Sequence, residues 1–128
     1  MLQLSRRVAT PEDVAALLSD PALAPSLGAA SGILAQLYWN GLGPDAREAL
    51  CAEVLRLAPG AILVGASATA LISEGSLVAE GAALCLTCFA GAKLRLFRRE
   101  AAPGSEAEAG AALAADLASC PELKAALL

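Results

Sequence analysis

Apolar and polar positions change period several times along the chain, and each change marks an element. Residues 3–8 read as a short first strand. Thr10, Pro11, Glu12 and Asp13 then open a helix, with Thr10 as N-cap, proline at its first position and acids in its first turn. Val14, Leu17 and Leu18 give it an i, i+3, i+4 stripe, and Asp20-Pro21 ends it. Residues 21–31, with Pro21, Pro25 and Gly28, read as a connection. A largely apolar strand follows at 32–39, then a loop at 40–43. Pro44 and Asp45 open a second helix whose predicted apolar face is Ala46, Leu50, Val54 and Leu57, with Arg47, Glu48 and Arg56 elsewhere. Pro59 and Gly60 stop it.

The stretch 59–78 is the centre of the pattern. Residues 61–64 form a short apolar run bounded by turn residues, and the β-branched Ile62 and Val64 favour a strand. The small and hydroxyl-bearing residues 65–69 read as a loop at its end. A further extended piece at 70–72 meets a tight turn at Ser73, Glu74, Gly75 and Ser76, where Gly75 is free to take positive φ. Residues 82–89 form a buried strand. Residues 93–98 alternate with period two and predict a half-exposed strand whose basic residues face solvent. Ser105 and Glu108 have capping-box spacing before a helix striped by Ala109, Leu113, Leu117 and Cys120. Pro121 closes that helix, and residues 123–128 read as the start of another strand.

Strand, helix and strand within about thirty residues make a βαβ unit, with parallel strands and a right-handed crossover. The predicted fold class is therefore α/β: a mixed sheet with a parallel βαβ unit followed by an antiparallel meander, helices packed on the sheet, in a single domain over 1–128. In such a unit both strands end on one edge of the sheet, where open α/β sheets bind ligands. Tyr38, Trp39, Asn40, Gly65, Ser67 and Thr69 are the candidate ligand-binding residues on that ground. The hydroxyls of Ser67 and Thr69 equally suit satisfying turn backbone groups, and Trp39 equally suits the core.

Composition narrows the function. The chain of 128 residues is 57% hydrophobic, yet proline, glycine or charge interrupts every apolar stretch before the roughly 18 to 20 residues that a spanning helix requires. The N-terminus lacks the order of a secretory signal, so the chain reads as a cytoplasmic protein with no membrane partner. A net charge of −4 and 3% aromatic residues argue against nucleic acid. There is no histidine, which removes His-dependent triads, His-bearing zinc sites and His-ligated haem. Cys85 and Cys88 have CxxC spacing, but i and i+3 on a strand face opposite sides. With Cys51 and Cys120 they read as structural thiols, so neither metal nor cofactor is expected.

These residues together resemble the N-terminal part of the FIST domain, a sensory module of bacterial signalling proteins. Residues 33–38, ILAQLY, are similar to the family's iLvQiF strand, and residues 57–67, LAPGAILVGAS, to its fPnA-iiGatT stretch. Ile72, Gly75 and Leu77 follow the pattern eI-xx-G-xv, and residues 84–96 resemble lsfs-FE-t-l. The helix containing Gly110 and the segment Leu123, Lys124 and Ala125 are similar more weakly. The resemblance implies small-molecule sensing coupled to an output protein such as a cyclase, kinase or chemoreceptor. Some relatives are described as haem-based nitric oxide sensors, for which this chain has no histidine. The family's T-D-G-E is here Ala68, Thr69, Ala70 and Leu71, without the acid. The chain reads as a shortened form of the domain.

Three functions follow from these readings. The leading one is a non-catalytic sensory or small-ligand-binding module. The second is an interaction or assembly module without a small ligand, and a homodimer through the apolar C-terminal segment or the adjoining sheet face is expected on either reading. The third is a hydrolase using Ser67, since residues 65–69 approach the G-x-S-x-G elbow. Thr69 replaces its closing glycine, and only Lys93 or Lys124 could act as base.

Overall fold

In the computed structural model, which describes residues 1–127, the predicted first strand forms as β1 (Leu2–Val8). Thr10 caps helix α1 (Pro11–Leu18) as its chemistry predicts. The Asp13 backbone N–H donates to Thr10 Oγ1 at 3.3 Å, and Asp13 Oδ2 accepts from the N–H groups of Thr10 and Ala9 at 2.9 and 2.8 Å. Two orphan donors at the helix entrance are thereby satisfied, and the Ala9 N–H before the cap is paired as well. Val14, Leu17 and Leu18 are buried, as their spacing predicts.

The connection expected at 21–31 contains a short helix, α2 (Ala24–Ala29). Pro25 lies in its first turn, where no intrahelical N–H is required of it. Leu23 anchors the segment by complete burial. Strand β2 (Gly32–Asn40), helix α3 (Pro44–Leu57) and strand β3 (Ala61–Ser67) follow. They form the predicted parallel βαβ unit, with Ile33 opposite Ala61 and Trp39 opposite Ser67. β3 continues through Gly65, Ala66 and Ser67, where small residues had suggested a loop, because the ladder with β2 holds them extended. On α3, Leu50 and Val54 are buried but Ala46 is exposed, so the inward face is rotated towards Arg47 and Cys51.

A hairpin of β4 (Leu71–Ser73) and β5 (Ser76–Val78) comes next. Its two central turn residues, Glu74 and Gly75, take φ of 52° and 76°, the mirror-image turn whose twist suits a two-residue hairpin. β6 (Gly81–Phe89) then enters the main sheet between β1 and β2, antiparallel to both. The strand order is β1-β6-β2-β3, a mixed sheet of four strands.

Register divides the sheet into two faces. Val8, Ala35, Leu37, Leu84 and Leu86 share the face covered by Val14, Leu17 and Leu18 of α1 and by Leu50 and Val54 of α3, and together they form the core. Burying a leucine or valine fully contributes about 1.5–3 kcal/mol relative to leaving it exposed, so this face accounts for most of the apolar stabilisation. Leu34, Gln36, Tyr38, Ile62 and Val64 lie on the other face. Cys85 and Cys88 point to opposite sides, as expected: Cys88 is in the core, whereas Cys85 Sγ accepts from Gln3 Nε2 at 2.9 Å.

The residues from Met1 to Leu94 form one compact unit, and a second begins at Arg95. Residues 93–98, where alternation predicts a strand, take no regular structure, and no strand pairs with them. In the second unit α4 (Glu106–Ala118) carries no fully buried residue. Its expected capping box is not formed. Ser105 has φ −108° and ψ 15°, outside the extended region a cap adopts, and its hydroxyl donates instead to the Ala102 carbonyl at 2.9 Å. Asp116 pairs with Arg99. Residues 123–127 are not a strand, and their unit offers no strand to pair with among the described residues. Leu128, part of the segment expected to mediate a dimer, lies outside the described residues. Among the described residues no helix is long and apolar enough to cross a membrane.

The cap at Thr10 makes an acid-dependent contribution to stability. The Ala9 N–H, then that of Thr10, holds the Asp13 carboxyl below the usual carboxylate range. A depressed folded-state pKa means that its contribution is present above about pH 4, the unfolded value, and is lost as pH falls through the folded one. Asp13→Asn is expected to lower the urea midpoint at pH 7, with the gap to the parent narrowing by pH ~3. A gap that stayed constant across that range would refute the assignment.

Candidate functional site

Between α3 and the β2–β3 edge of the sheet lies a cavity of about 250 Å³, lined by Leu37, Trp39, Arg47, Cys51, Leu63, Val64 and Gly65. The βαβ unit builds all of it. Leu37 and Trp39 project from β2 to the helix-covered face, and their register partners on β3 are Gly65 and Ser67. Arg47 and Cys51 come from α3 one turn apart, so both lie on the same side of the helix.

Gly65 is the residue that lets the strands close here. A Cβ at this position would collide with the Leu37 carbonyl oxygen and approach Trp39 Cζ3 to 3.3 Å. Backbone cannot yield as a flexible side chain can, so only glycine fits without moving β3. The missing side chain also leaves Trp39 uncovered towards the cavity.

Arg47 holds its guanidinium carbon 5.2 Å from the centre of the Trp39 ring, within the range of a cation–π contact. Burial pushes the Cys51 thiol up; the nearby Arg47 charge opposes this and Glu48 reinforces it. The thiol is therefore protonated at neutral pH and forms part of an apolar wall. Among the described residues no group of three or more cysteine, aspartate and glutamate side chains is placed to hold a metal ion. A second cavity, of about 180 Å³, lies between β1, α2 and the end of β6, and no charged side chain lines it.

The sequence-derived site residues divide between the faces of the sheet. Trp39 and Gly65 line the larger cavity. Ser67 shares their face at the exposed end of β3, and Thr69 lies beyond the strand. Tyr38 and Asn40 point to the opposite face from Trp39, because successive strand residues cannot share one crevice. Tyr38 Oη accepts from Gln36 Nε2 at 3.2 Å. The Asn40 amide donates to the Thr69 and Ala79 carbonyls at 3.2 and 2.6 Å, which ties the two ends of the hairpin segment together. Arg47 and Cys51 are the residues that sequence reasoning missed. Their i, i+4 spacing beside the Leu50 and Val54 stripe was the available signal. Comparison of the chain with protein-family models, with curated proteins and with solved structures finds no match in any of the three.

Gly65→Ala is expected to destabilise the protein by about 1–3 kcal/mol, the usual cost of forcing extra atoms into a packed site. The emission of Trp39, the single tryptophan of the chain, should shift with it. Urea denaturation followed by that emission tests both, and an unchanged midpoint would contradict the close approach.

Proposed function

We propose that the protein is a non-catalytic small-ligand-binding module and that the cavity between α3 and the β2–β3 edge is its binding site. One observation carries this reading. The cavity is concave and mostly apolar, with a single charged group and an aromatic ring converging on it, the usual anatomy of a small-molecule site. Its volume of about 250 Å³ falls below the ~300–1,000 Å³ typical of sites for drug-sized ligands, which favours a compact metabolite. The resemblance to the FIST domain adds a sensory role in a bacterial signalling system, with the ligand's occupancy passed to an output protein. A Ser67 hydrolase has less support, since Ser67 is exposed at a strand end and does not line the cavity.

A thermal-shift screen against compact metabolites tests this reading. A ligand that binds only the native state must raise the melting temperature. It should also slow alkylation of Cys51 by iodoacetamide, followed by peptide mass mapping, because that thiol lines the cavity. Hits that stabilise the protein but leave Cys51 labelling unchanged would place the site elsewhere.

The assembly reading, with a homodimer, draws on a different observation. β3 is an edge strand of seven residues with neither charge nor proline, whereas the opposite edge, β1, carries Arg6 and Arg7. Charges and proline are the devices that keep sheet edges from pairing, and only one edge has them. Two copies joined at β3 would continue the sheet across a two-fold axis. Light scattering at micromolar concentration is expected to give a dimer mass, and Ile62→Lys to return it to monomer. A parent chain that is monomeric throughout would rule this assembly out.

A further inference from the structure

Resting on the reading of that cavity as a ligand site, we infer that its ligand is a compact organic anion, a carboxylate with an apolar body, whose charged end sits at Arg47. Arg47 differs from the other arginines among the described residues. Each of those donates to an acceptor: Arg6, Arg56, Arg98 and Arg99 to carboxylates, Arg7 to a backbone carbonyl, and Arg95 to a cysteine sulfur. Arg47 is half-buried and has no side-chain hydrogen bond or ion pair among the described residues, only the Trp39 ring against its face. A cation–π contact uses the flat face of the guanidinium and leaves its in-plane N–H donors free. Those donors form the fork that fits a carboxylate.

Position reinforces the charge. Arg47 occupies the first turn of α3, where its backbone N–H donates to the Gly43 carbonyl at 3.1 Å. The positive end of the helix dipole lies there and favours an anion; Asp45 of the same turn offsets part of that charge but does not pair with Arg47. The residues lining the cavity include no acid, so an ammonium group would meet no carboxylate on its wall; Glu48, whose charge is felt at Cys51, lies outside the lining. Leu37 and Leu63 supply apolar walls for the remainder of the ligand, and Val64 adds only backbone because its side chain lies on the other face of the sheet. A zwitterion would leave its cationic end unpaired, and a neutral molecule would leave Arg47 as it is.

Three UV-transparent probes of nearly equal size separate the possibilities: cyclohexanecarboxylate, cyclohexanecarboxamide and cyclohexylmethylamine. Each is titrated into the full chain and followed by Trp39 emission, with Cys51 alkylation as the second readout. The carboxylate is expected to bind at least about tenfold more tightly than the amide, and the amine more weakly than either. Arg47→Gln should remove about tenfold of the carboxylate's affinity and leave the amide's unchanged, while Arg47→Lys should retain part of the preference. Equal binding of carboxylate and amide, or a carboxylate affinity indifferent to Arg47→Gln, would overturn the anion inference and leave the cavity standing as a binding site. If none of the three altered Trp39 emission or slowed Cys51 alkylation while another metabolite did, the anion inference alone would fall. If no compound did either, the cavity reading would fall with it.

Discussion

β6 is hydrogen-bonded along both edges, to β1 on one side and β2 on the other, and its helix-side face is sealed by the core. A charge placed on that face would have to leave water without a partner, at a cost of several kcal/mol. The strand accordingly consists of glycine, alanine, leucine, cysteine, threonine and phenylalanine. Its central position also joins the two ends of the first unit. Without β6, the β1–α1 segment and the βαβ unit would have no shared ladder. The cavity depends on the same arrangement at one remove. Pairing with β6 fixes which residues of β2 face the helices, and this parity sends Leu37 and Trp39, not Tyr38, to the α3 side.

The local chemistry of the chain was largely legible. Thr10 with Asp13, the stripe of Val14, Leu17 and Leu18, the βαβ unit and the turn at Glu74 and Gly75 all follow from short-range rules of capping, period and turn type. Elements failed to follow where a partner decided the outcome. The alternation of residues 93–98 is a strand signal, but a strand requires a neighbour and none pairs with them. The small residues 65–67 have loop chemistry, but β2 supplies a ladder and they stay extended. Ser105 has the right residue at the right spacing for a cap and the wrong backbone angles.

Of the residues lining the candidate cavity, Trp39 and Gly65 were legible in the sequence and Arg47 and Cys51 were not. A parallel βαβ unit brings the ends of β2 and β3 to one edge, and there Trp39 and Gly65 do meet. Tyr38, Trp39 and Asn40 are successive residues, and strand parity divides them between two faces. Arg47 falls outside the predicted apolar face of Ala46, Leu50, Val54 and Leu57. The actual inward face is centred on Leu50 and Val54, and this places Arg47 and Cys51 at the border between core and solvent. A border position is where a charged side chain can remain partly hydrated yet project over an apolar hollow.

The Asn40 amide has a consequence for local stability. It bridges Thr69 and Ala79 at the neck of the intervening hairpin, with the Arg7 guanidinium on the Glu80 carbonyl and the Ala68 N–H on the Trp39 carbonyl just outside it. Within that loop Leu71 and Val78 are buried, while Ile72 and Leu77 are 78% and 70% exposed. Ser73 is buried with Leu71 and Val78. A segment with so few buried contacts, tied mainly at its neck, can open by itself while the four-stranded sheet stays intact. Its amides then exchange with solvent through that local opening, on a free-energy scale set by Asn40, Leu71 and Val78, whereas the amides of β6 exchange only when the unit as a whole unfolds.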